Sequence, residues 1–115
     1  MPYLAQPRIH IDTTARRLTL FDGSQVVFAY PIGIGKQVTP TPLGDFSIVS
    51  RSMHPGGILG TRWLGLNYDA YGIHGTNRPA SIGHMVSNGC IRLHNHHVEE
   101  LFELTPFGTP VHIRS

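Results

Sequence analysis

The sequence predicts a mostly β domain carrying one α-helix. Three observations lead there. Glycine and proline are frequent, 13 and 9 of 115 residues, which favours turns over long helices. Short segments of alternating apolar and polar residues recur between those turn signals, the pattern of half-buried strands. One stretch, residues 95–104 (NHHVEELFEL), spaces its apolar residues convincingly as a helix does.

Residues 8–12 (RIHID) and 16–21 (RRLTLF) alternate as strands. Asp22-Gly23 is a hairpin signal before a third strand over 25–34 (QVVFAYPIGI). Pro31 cannot donate to a ladder and pushes the end of that strand to an edge or a bulge. The residues of these strands read as core. Residues 33–44 (GIGKQVTPTPLG) form a loop set by glycine and proline, and 45–50 (DFSIVS) another strand. Gly33 and Gly35 suggest a phosphate loop, but no helix pattern follows, which argues against a nucleotide site.

Residues 53–60 read as loop and 61–67 (TRWLGLN) as a strand holding the only tryptophan, Trp63. Trp63, Tyr68 and Tyr71 read as core or edge packing, the alternative being that they line the approach to the functional groups downstream. Pro79 suits the first turn of a short helical segment within 79–85. In the helix, Asn95 is the expected N-cap. Val98, Leu101, Phe102 and, on the flank, Leu104 form the apolar stripe. Glu99, Glu100 and Glu103 take the other side, and Thr105-Pro106 ends the helix. A last strand covers 111–114.

At this length the chain reads as one domain, 1–115, with a single core. A formal net charge of +2 is too small for a nucleic-acid partner. One cysteine excludes an internal disulfide and a cysteine-based zinc cage. No apolar run is long enough to span a membrane. The opening residues, MPYLAQPRIHID, lack a basic region followed by an apolar core, so no signal peptide is visible. Of the eight histidines, His94, His96 and His97 cluster. His96 and His97 are adjacent and cannot share a helical face, and no HExxH spacing occurs. A solvated patch is the reading, with no metal and no other cofactor expected.

The chemistry concentrates in residues 71–93, YGIHGTNRPASIGHMVSNGCIRL. This stretch holds Cys90 and, sixteen positions earlier, His74, both flanked by glycine. A thiol becomes a nucleophile at neutral pH through a base or a depressed pKa, and imidazole titrates near the working pH. The Gly89 and Cys90 amides are candidate donors to an oxyanion. If His74 and Cys90 form a hydrogen-bonded pair, the thiol is expected to ionise below its free value. On the residues alone, the alternative is a small buried cysteine and an unrelated surface histidine.

The order His74, then Ser87-x-Gly89-Cys90-Ile91-Arg92, resembles the catalytic signature of the L,D-transpeptidases of the YkuD family. Thr41-Pro42-Leu43-Gly44-Asp45-Phe46 resembles the run that precedes a central strand in that family, so the likeness covers most of the chain. Many members carry a second histidine where this chain has Asn88, and no role for that histidine is carried over. The resemblance implies a sandwich or barrel-like pair of sheets, with the helix packed beneath the catalytic turn.

It also implies peptidoglycan L,D-transpeptidation. Cys90 would attack the carbonyl joining the third stem residue to D-alanine, D-alanine would leave, and an amine of a neighbouring stem would resolve the thioester into a 3→3 cross-link. Water as acceptor would give a carboxypeptidase. The resemblance makes His74 the base and the Gly75 carbonyl its orienting group. Ser87, Asn88, Gly89 and Arg92 would serve the substrate and oxyanion side. Stem peptides as partners, sensitivity to carbapenems, a cell-wall or spore-envelope location and a monomeric state are further expectations.

Two rivals are weighed against this. A cysteine peptidase or amidase usually places its cysteine first, at a helix N-terminus, whereas here His74 comes first and Cys90 precedes strand-like residues. A non-catalytic wall-binding module would show glycan-binding repeats, which the sequence lacks.

Overall fold

Alternation of apolar residues builds the sheet. Ile9 and Ile11 of β1 (Pro7–Asp12), Leu18 and Leu20 of β2 (Arg17–Asp22), and Val111 and Ile113 of β10 (Pro110–Arg114) all turn inward and are fully buried, as a period of two requires. The computed structural model describes residues 3–37, 39–87 and 89–115. The remaining strands are β3 (Gln25–Pro31), β4 (Ile34–Gly35), β5 (Gly44–Met53), β6 (Arg62–Leu66), β7 (Gly72–His74), β8 (Met85–Ser87) and β9 (Ile91–Arg92). Among the described residues they form an eight-stranded sheet, ordered β3-β2-β1-β10-β5-β6-β7-β9, and a two-stranded parallel pair, β4-β8. The large sheet curves as a half-barrel and is joined by one helix, so the fold is mostly β as expected.

The third strand is shorter than the sequence suggested. It stops at Pro31, which has no N–H for a ladder. Beyond it Ile32 N–H donates to the Arg16 carbonyl and Gly33 N–H to the Arg92 carbonyl, so the chain leaves β2 and crosses toward β9. β3 is therefore an edge strand, where Val26 is 60% exposed and does not join the core. β5 is longer than expected, ten residues, because it pairs with β10 at one end and β6 at the other. The segment after Pro79 is a short 3-10 turn, Pro79–Ser81.

The helix α1 (Asn95–Leu104) buries Val98, Leu101 and Phe102 against β6 and β7. The expected Asn95 cap does not form. His94 occupies the cap position, and Asn95 is the first helical residue, its side chain directed elsewhere. The acidic side is not simply solvated: Glu99 accepts from Thr61 Oγ1 and Glu100 from Tyr30 Oη, both at 2.7 Å. At the other end Arg51 donates to the Phe102 carbonyl at 2.6 Å and lies 3.9 Å over the Phe102 ring. A cation suits the negative end of a helix, and its face-on contact with the ring adds to the hold. Among the described residues no helix is long and apolar enough to cross a membrane.

Candidate active site

β7 and β9 run parallel, with Ile73 opposite Ile91 and His74 opposite Arg92. Successive side chains point to opposite faces. Ile73 and Ile91 enter the core with α1 beneath them, so His74 and Arg92 share the other face. Cys90 immediately precedes β9, and its thiol is near the Ala70 carbonyl and the Arg92 charge. β6 extends the row: Trp63 pairs with His74, and Gly65 with Gly72.

The turn before β9 is held by Ser87. Its hydroxyl donates to the Cys90 carbonyl at 2.7 Å and accepts the Gly89 N–H at 3.2 Å. Ser87 is buried, so it staples the turn and does not face a substrate as expected. The Gly89 amide, expected as an oxyanion donor, is engaged by that hydroxyl. Gly89 has φ +113, and a Cβ there would overlap the Tyr71 ring; only glycine meets both conditions without strain. Asn88, expected on the substrate side, lies outside the described residues. From outside, β8 is braced by the loop after β4, whose Lys36 N–H donates to the Ser87 carbonyl.

His74 is 3% exposed. Its Nδ1 lies 2.6 Å from the Gly75 carbonyl. A carbonyl only accepts, which assigns the proton to Nδ1 and leaves Nε2 a free lone pair. Trp63 stacks on the imidazole, and its indole N–H donates to Ser50 Oγ. Tyr71 supports Gly89 and meets Tyr68 at 4.9 Å between ring centroids. These aromatics were read chiefly as packing, yet Trp63 and Tyr71 touch the base and the catalytic turn. Burial pushes His74 down, against the pull of the Gly75 bond and with the help of the Arg92 charge.

Cys90 is half-buried, and its thiol donates to the Ala70 carbonyl at 3.7 Å. Burial pushes the thiol up, opposed by the Gly72 backbone and by Arg92. This corrects the expectation of a thiol ionising below its free value. Both shifts favour the neutral forms, thiol and imidazole, over thiolate and imidazolium. Arg92 is itself pinned: Nη1 donates to Ser81 Oγ at 3.1 Å, and its backbone exchanges two hydrogen bonds with Gly33. Burial, followed by the like charge of Arg78, draws its pKa down. The thiol thus faces a positively charged neighbourhood.

His94, His96 and His97 do gather, with ring centroids 4.1 to 5.7 Å apart. Among the described residues, however, no group of three or more His, Cys, Asp or Glu is placed to hold a metal ion. A cleft of about 580 Å³ lined by Thr14, Arg16, Arg17, Tyr30 and Gly83 contains neither Cys90 nor His74.

Residues 6–113 match the YkuD family, described as the L,D-transpeptidase catalytic domain. The chain belongs to this family. The L,D-transpeptidase domain is 49% identical over 112 residues to the Bacillus subtilis protein YkuD, covering 97% of this chain and 68% of that one. With the YkuD protein of Bacillus licheniformis it shares 50% over 106 residues, 92% of this chain and 64% of the relative. Both relatives carry the name L,D-transpeptidase, and the chain spans about two thirds of their length. In fold it matches the solved catalytic domain of the E. faecium L,D-transpeptidase, with TM-score 0.82 and 23% identity, over 98% of this chain and all of that one. Sequence reasoning gave Asn95 only a cap, whereas its side chain bonds the Thr61 N–H and both backbone groups of Thr76.

Proposed function

We propose that the domain is a peptidoglycan L,D-transpeptidase working through a Cys90 thioester. The observation that carries this reading is the parallel pairing of β7 and β9, which sets His74 opposite Arg92, with Cys90 immediately before β9 and His74 Nδ1 committed to Gly75. In the first half-reaction Sγ attacks the carbonyl carbon of the third stem residue. His74 Nε2 takes the thiol proton as the bond forms. The amide C–N bond then breaks, and His74 gives that proton to the departing D-alanine amine. In the second, the side-chain amine of a neighbouring stem attacks the thioester carbon and loses a proton to His74. The C–S bond breaks, the thiol is restored, and a 3→3 cross-link remains.

Because the neutral forms are favoured, His74 acts as a true general base during attack. The Cys90 N–H is the backbone donor for the oxyanion, since the Gly89 N–H is engaged by Ser87. Arg92, with Arg78 nearby, suits the carboxylates of a stem peptide. On this reading residues 1–115 work as one monomeric domain that meets peptidoglycan in the cell wall, and carbapenems acylate the same sulfur. Water in place of the amine turns the same site into a carboxypeptidase.

The test is a tetrapeptide stem fragment given with and without an amine acceptor. The proposal expects D-alanine release by the wild type and none by Cys90→Ala. It expects a cross-linked dimer when the acceptor is present. D-alanine release by folded Cys90→Ala at the wild-type rate would refute it; tripeptide without dimer would leave carboxypeptidation as the activity.

A further inference from the structure

Asn95 is engaged with two loops at once. Its Oδ1 accepts the Thr76 N–H at 3.0 Å and the Thr61 N–H at 3.2 Å, while Nδ2 donates to the Thr76 carbonyl at 3.0 Å. Two amide donors on one side and a carbonyl on the other permit only this orientation of the side-chain amide. The approach is close: a Cβ at residue 75 would overlap Asn95 Oδ1, so Gly75 leaves room for it.

The Thr76 N–H and the Gly75 carbonyl belong to one peptide unit. That unit is planar and trans, so fixing the direction of its N–H fixes the direction of its C=O. Asn95 holds the N–H end, and His74 Nδ1 meets the C=O end at 2.6 Å. Asn95 also lies five residues beyond Cys90 in the chain. The short segment that presents the nucleophile therefore also anchors the peptide that aligns its base.

We propose that Asn95 is a positioning residue for His74: by gripping the 75–76 peptide it holds the Gly75 carbonyl in line with Nδ1 and keeps Nε2 unprotonated for the thiol. The proposal deepens the transpeptidase reading and rests on it for its kinetic consequence. Its structural consequence, the tautomer of His74, is read without any substrate. Asn95→Ala removes all three bonds and frees the peptide to rotate. Asn95→Asp keeps an acceptor for both N–H groups, including that of the 75–76 peptide, and replaces the donation to the Thr76 carbonyl by a carboxylate oxygen facing it.

The experiment is ¹⁵N spectroscopy of histidine-labelled protein at pH 8, with His74 assigned by its loss in His74→Gln, alongside steady-state kinetics and melting curves. The expected wild-type signature is protonated Nδ1. Asn95→Asp should retain it, whereas Asn95→Ala should shift toward the Nε2–H tautomer and lose roughly 10²-fold in kcat, the cost of a misplaced catalytic group, with little change in KM. A wild-type Nε2–H signature would overturn the proposal even if Asn95→Ala failed to fold. So would an unchanged tautomer in folded Asn95→Ala, or its loss to the same degree in Asn95→Asp. Wild type that shows Nδ1–H yet never acylates at Cys90 would refute the transpeptidase reading and leave the positioning result standing.

Discussion

Trp63 lies against His74 with ring centroids 5.9 Å apart and planes 18° from parallel. The indole and the imidazole are partners across β6 and β7, so the cover over the base is built into the sheet register. That cover contributes to the burial that lowers the His74 pKa.

Replacing Trp63 by alanine should therefore raise the His74 pKa toward the ordinary histidine value of about 6.5. The wild-type acid limb of kcat/KM should lie below that value, since activity is lost only as pH falls through the depressed pKa of the base. In Trp63→Ala the limb should move up. The stability linked to His74 has the same sign: it is present above about pH 6.5 and declines as pH falls through the lowered value. A pH–rate profile unchanged by Trp63→Ala would contradict this account of the base.

The raised thiol makes the opposite statement about Cys90. Its rate of alkylation by iodoacetamide should rise with a midpoint above the roughly 8.5 of a free cysteine. Arg92→Gln should move that midpoint higher still, because the Arg92 charge is one of the two effects holding it down. A midpoint below the free value would mean that the resting pair is ionised.

Gly89→Ala should destabilise the turn. Its φ of +113 is strained for any side chain, and a methyl there meets the Tyr71 ring. A cost of about 1–3 kcal/mol is expected from the backbone conformation alone, read by urea denaturation, together with a change in Cys90 alkylation. Unaltered stability and unaltered alkylation would show that the turn tolerates a Cβ.

Leu101→Ala should cost about 2–5 kcal/mol, as truncation of a fully buried leucine does. Leu101 is 0% exposed in the core that α1 closes beneath β6 and β7. A loss under ~1 kcal/mol in the same denaturation assay would mean that the helix is not seated as described.

The parts legible in the sequence were those set by periodicity and by sharp local chemistry. Alternation revealed β1 and β2, the Asp22-Gly23 signal gave the hairpin partner of β2, and the spacing of Val98, Leu101 and Phe102 located α1 with its bounds. β4, β7 and β8 were invisible as strands, because two or three residues cannot display a period, and β9 was legible only as strand-like residues after Cys90. Yet β7 and β9 are the ones that bring His74 and Arg92 into register.

Within the site, the resemblance of the 71–93 stretch to the family signature pointed to Cys90 and His74 but not to what surrounds them. The staple role of Ser87 depends on a turn geometry that no residue spacing reveals. Asn95 looked like a cap because Asn caps helices; its partners, Thr61 and Thr76, are distant in sequence. The ionisation of the pair was misjudged for a related reason. A hydrogen bond to His74 suggested a low thiol pKa, whereas burial, which only the fold reveals, pushes the thiol up against the Gly72 backbone and the Arg92 charge.

The most direct measurement is the mass of the Cys90 peptide, quenched in acid during turnover of a tetrapeptide stem without acceptor amine. The account requires that peptide to gain the mass of the tripeptide acyl group, that is, the tripeptide less water, with one equivalent of D-alanine released per adduct. An adduct on any other residue, or D-alanine release at the full rate with Cys90 unmodified throughout, would contradict the thioester mechanism.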